Sequence, residues 1–68
     1  MQAHQQRVVD EKSELDGRLT KLLAFIDGGQ GTTFKSLNEP ERERLCRQGA
    51  VMREYSDILA DRIAAFTD

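Results

Sequence analysis

Two runs of apolar residues at helical spacing flank a single glycine-rich break, and they constrain this chain more than any other feature. The first run is Val8, Leu15, Leu19, Leu22 and Ile26; the second is Leu45, Met52, Tyr55, Leu59 and Phe66. Steps of three, four and seven place each set on one face of a helix. Two helices joined by one loop take up almost the whole chain. A lone helix pair cannot cover both of its apolar faces. The pattern therefore predicts an all-α, antiparallel two-helix hairpin that completes its core by oligomerisation, as a four-helix bundle dimer or higher.

Size supports the same expectation. The chain has 68 residues, enough for one small domain and too few for a self-sufficient core without a staple. The one cysteine, Cys46, rules out an internal disulfide. One His and one Cys do not supply the four ligands of a zinc site. No cofactor or metal is expected, and oligomerisation is the staple left. Hydrophobic residues make up 38% and charged residues 32%, which suits a soluble helical protein rather than a disordered one. The polar start, Met1 to Gln6, lacks an apolar export signal, and no segment is apolar enough for a membrane span. A free thiol without an export signal points to the cytoplasm. The net charge of −2 offers no general attraction to nucleic acid or anionic membranes.

The first helix is expected over about residues 4–27. Val8, Leu15 and Leu22 fill one heptad position, and Lys12, Leu19 and Ile26 the other. Val9, Leu23 and Phe25 widen the stripe, as in a globular bundle. Lys12–Asp16 and Glu14–Arg18 are spaced for ion pairs worth about 0.2–0.5 kcal/mol each. Gly28-Gly29 stops the helix, because glycine accepts the left-handed conformation. Residues 28–37 form the linker, with Phe34 and Leu37 as an apolar lid in one short helical turn. The second helix is expected over about residues 38–66. Asn38-Glu39-Pro40-Glu41 fits a capping box with proline in the first turn. A turn centred near Thr33 would set Leu22 opposite Leu45, Leu15 opposite Met52, and Val8 opposite Ile58 or Leu59. Gly17 and Gly49 would then share a level, marking either a close backbone approach or, for Gly17, a tolerated surface glycine.

No enzyme constellation is present, so the chain is expected not to be an enzyme. Gly28–Thr33 lacks the Gly-Lys-Ser/Thr ending of a phosphate loop and follows a helix rather than a strand. His4 stands alone near the terminus. Cys46, beside Leu45, reads as a small, partly buried apolar residue. Asp57 and Asp61 read as a solvated face. Lys12, Gln48 and Arg62 lie on or near the stripes. They could fix the register of an oligomer, or line a cavity for an anionic ligand with Arg as the bidentate partner. Snorkelling is the simpler account of them. Tyr55 falls near the level of Lys12 and could stack on a base. Arg42, Arg44 and Arg47 cluster at the start of the second helix. Glu39, Glu41 and Glu43 interleave with them, which weakens a nucleic-acid reading. Lys12, Arg42, Arg44, Arg47, Tyr55 and Arg62 are thus the candidate residues for a ligand or partner.

The stretch from His4 to Asp16 resembles part of a group of short, mostly uncharacterised helical-hairpin proteins of tailed phages and prophages. So do the Leu19-x-x-Leu22-x-x-Phe25-Ile26 step and the Phe34-x-x-Leu37 linker. The Arg44-Leu45-x-x-Gln48-x-x-x-Met52-x-x-Tyr55-Ser56-x-x-Leu59-x-x-Arg62-Ile63-Ala64-Ala65-Phe66 ending matches as well. The Gly28–Thr33 stretch departs from that pattern by a few extra residues. The resemblance implies a stoichiometric binding protein that inhibits a host bacterial protein or an anti-phage defence factor. The layout is also broadly similar to phage helical-hairpin sponges, which are oligomers that sequester cyclic nucleotide immune signals. That similarity is architectural and carries no binding residue.

Overall fold

The computed structural model describes residues 1–28 and 33–66. The described residues form three helices and no strand: α1 (Ala3–Ile26), α2 (Thr33–Ser36) and α3 (Glu39–Ala64). The long helices pack side by side as a hairpin, giving extents of 49 × 19 × 13 Å. That shape is one helix thick in its smallest dimension, so each long helix has one face on its neighbour and the rest on solvent.

Local chemistry sets the helix ends. The Gln5 side chain turns back, and its Oε1 accepts from the Gln2 backbone N–H at 2.8 Å, which satisfies a free donor at the start of α1. At the other end Gly28 has φ 82°, the left-handed value that closes a helix. Asn38 caps α3, its Oδ1 accepting from the Glu41 N–H at 2.9 Å. The carboxylate of Glu41 is turned instead toward Arg44, 2.8 Å away. Phe34, in the short turn of α2, meets Phe25 edge-to-face with ring centroids 5.9 Å apart. The expected lid is therefore an aromatic pair that ties the linker to the end of α1. The glycine-rich segment at 29–32 lies outside the described residues.

Among the described residues Val8, Leu15, Leu19 and Leu59 are the buried apolar side chains, and Met52, Ile63 and Phe66 pack against the cluster formed by Val8, Leu15 and Leu59. Leu22, Ile26 and Leu45 are half-buried. The inner face of α3 runs Leu45, Gly49, Met52, Ser56, Leu59, Ile63 in alternating steps of four and three, and Phe66 continues it just past the helix end. Tyr55 does not belong to it and is 41% exposed.

The register differs from the sequence expectation by one helical turn. Gly49, rather than Leu45, lies against Leu22 and Leu23. Asp16 meets Ser56, so the pivot of the hairpin lies at Ser36, not Thr33. The α2 turn lengthens the connection and moves the pivot along the chain. The two glycines consequently sit at different levels. Gly49 is buried against leucine side chains, while Gly17 is exposed with open space where a Cβ would be. Gly17 is a surface glycine and marks no close approach.

Candidate functional site

Two polar features stand out from the apolar packing. The first bridges the two long helices. Lys12 Nζ donates to Asp16 Oδ2 at 2.7 Å and to Ser56 Oγ at 3.0 Å. The Ser56 hydroxyl in turn donates to Asp16 Oδ1. Lys12 and Asp16 are one turn apart on α1, and Ser56 is a small residue on the inner face of α3. The Lys12 ammonium, then the Ser56 hydroxyl, hold the Asp16 carboxyl below the usual carboxylate range. Lys12 therefore does more than snorkel: its charge is fixed across the helix pair. Its cross-helix neighbour is Ser56, while Tyr55, one residue earlier, faces outward. The three side chains bond to one another across the helix pair, so the trio reads as a register pin rather than a reactive centre.

The second feature is an open groove of about 720 Å³ at the start of α3, lined by Phe34, Pro40, Arg42, Arg44, Cys46 and Arg47 together with Glu39 and Glu43. It brings together the three arginines singled out from the sequence. Cys46 is exposed here, contrary to its expected partial burial. A one-residue step along a helix rotates by about 100°, so the residue after inward-facing Leu45 turns away from α1. Arg44 and Arg47 also line a second, smaller depression with Gln48, Val51 and Met52. The arginine groove thus continues along α3 toward its middle.

Beyond that point α3 presents an outer stripe. Val51 is 65% exposed, Tyr55 41% and Ile58 50%. Arg62 is exposed at its far end, as are Asp57 and Asp61. The sequence reading missed Val51 and Ile58 as a surface feature. Their spacing with Gln48, Tyr55 and Arg62 is itself a heptad, offset by one residue from the inner one.

Among the described residues no cluster of His, Cys, Asp or Glu could hold a metal ion, and no helix is long and apolar enough to cross a membrane. A family model described as Sequestin matches residues 2–65. The chain belongs to the Sequestin family. The match covers both long helices, so the Lys12–Asp16–Ser56 trio and the arginine groove both lie within the Sequestin region. No curated protein and no solved structure matches the chain.

Proposed function

We propose that this chain is a non-enzymatic sequestering protein of phage or prophage origin, acting in the cytoplasm of the bacterial host. Its cargo in this reading is an anionic cyclic nucleotide signal, held stoichiometrically by a self-associated hairpin. The observation that carries the reading is the groove at the start of α3. Arg42, Arg44 and Arg47 line one open surface there together with Phe34, Glu39 and Glu43. Guanidinium groups offer planar, paired donors for phosphate oxygens. An aromatic ring beside them can cover a base. The family description, Sequestin, points to sequestration of a partner molecule, and the phage-protein resemblance and the hairpin architecture fit that role.

Thermal-shift screening against cyclic di- and trinucleotides tests the reading. A tight ligand raises the melting temperature through mass action. Absence of a shift with every member of the panel would remove it.

A second reading, inhibition of a host or defence protein by direct binding, is favoured by a different observation. The exposed Val51, Tyr55 and Ile58 stripe is the kind of apolar surface that protein partners cover. Affinity capture from a bacterial lysate separates the two: a single host protein recovered in stoichiometric amount, with no nucleotide shift, supports this second reading.

A further inference from the structure

Arg44 lines two depressions. One is the groove that holds Phe34 and Pro40; the other holds Gln48, Val51 and Met52. An exposed arginine at such a junction can turn its guanidinium into either. One contact decides between them. Arg44 Nε donates to Glu41 Oε1 at 2.8 Å. Glu41 lies one turn earlier on α3, whereas Gln48, Val51 and Met52 all lie later. The bond therefore draws the guanidinium toward the Phe34 groove.

Glu41 is itself held in place. Pro40 fixes the backbone just before it, and its own N–H donates to Asn38 Oδ1 at 2.9 Å. It occupies the position from which a capping-box carboxylate returns to the cap residue's N–H. Its carboxylate bonds Arg44 instead. Exposed ion pairs add little stability, so the helix alone does not account for that choice. The carboxylate takes only the Nε of Arg44. Among the described residues the Nη hydrogens bond no other side chain and remain for an anion. Glu39 and Glu43 line the groove; among the described residues Glu41 does not, so it grips Arg44 from outside.

Resting on the sponge reading above, we propose that Glu41 is a positioning residue. It aims Arg44 into the Phe34 groove and so favours an anion that carries a base over a bare phosphate. A phosphate taken in the groove has an aromatic ring among its neighbours, which a base can stack on. One taken in the second depression has Gln48, Val51 and Met52, and no ring.

The experiment titrates the full chain with 3′,3′-cyclic di-GMP, cyclic tri-AMP and inorganic pyrophosphate, and reads the preference for nucleotide over pyrophosphate. Glu41→Gln and Glu41→Ala remove the same charge, but only Gln keeps an oxygen for the Arg44 Nε. Their difference therefore isolates the bond from the charge. The nucleotide preference is expected to be about threefold lower in Glu41→Ala than in Glu41→Gln, as befits an exposed contact. In an Arg44→Gln background, which keeps Arg42 and Arg47, the two Glu41 substitutions are expected to give the same preference. A role confined to helix stability would move the melting temperature in both backgrounds and create no such dependence on Arg44. Equal preferences in Glu41→Ala and Glu41→Gln, or a difference that persists without Arg44, overturns the positioning role while leaving the sponge reading standing. Wild-type chain that takes up none of the probes overturns both.

Discussion

The Ser56 hydroxyl on α3 donates to the Asp16 carboxylate on α1, joining residues 40 positions apart. Lys12 completes the link from one turn earlier on α1. In a hairpin with few buried apolar side chains, this polar contact identifies one alignment of the helices. A slip by one turn would leave Ser56 and the Lys12–Asp16 pair without each other, at a cost that apolar contacts alone would not impose.

Acid should weaken the hairpin through Asp16. Its folded pKa lies below the unfolded value, so its contribution is present above the ordinary carboxylate range and is lost as pH falls through the folded pKa. Urea unfolding of wild type and Asp16→Asn across that window is the check. The stability difference between them is expected to be present near neutral pH and to shrink on acidification. A constant difference would show that Asp16 contributes through packing alone.

Two substitutions on the inner face of α3 should differ sharply. Leu59 is completely buried, and Leu59→Ala is expected to cost about 2–5 kcal/mol, enough to leave a chain this small largely unfolded. Ser56→Ala keeps the Lys12–Asp16 pair and is expected to cost about 0.5–1.5 kcal/mol. Denaturant midpoints followed by circular dichroism rank the two.

The glycines separate in the same way. Gly17→Ala, facing open space in the middle of α1, is expected to stabilise by about 0.5–1 kcal/mol through helix propensity. A Cβ on Gly49 would meet Leu23 Cδ2 at 3.6 Å and Leu22 Cδ2 at 3.7 Å, ordinary contact distances. Gly49→Ala should therefore be tolerated, whereas Gly49→Leu must wedge the helices apart and lower the melting temperature.

Phe34 tests the linker. Phe34→Ala removes the edge-to-face pair with Phe25 and is expected to cost about 0.5–1.5 kcal/mol. Faster amide exchange at the C-terminal turn of α1, with the centre of the helix unchanged, would locate the effect.

The helices were legible in the sequence because leucine and isoleucine recur at helical intervals and because Gly28 and Asn38 are strong end signals. The inner face of α3 was harder to read. Gly49 and Ser56 hold two of its positions without being apolar, so Tyr55 was placed on the inner stripe although it faces outward. The register was displaced by a turn because nothing in the local pattern fixes how much chain the α2 turn consumes. That Arg42, Arg44 and Arg47 cluster in the first turns of α3 was legible, whereas the groove they line with Phe34 was not, because it depends on where the α2 turn sits. Ser56 as the cross-helix partner of Lys12 and Asp16 was not, since a serine gives no signal until the partner helix is in register.

The central claim, sequestration without chemistry, is tested most directly by recovering the ligand. A cyclic nucleotide that shifts the melting temperature is incubated with the chain, free nucleotide is quantified by chromatography, and the complex is then heat-denatured. Free nucleotide is expected to fall in proportion to added chain and to return chemically unchanged on denaturation. A new product, or free nucleotide that stays constant however much chain is added, would contradict the account.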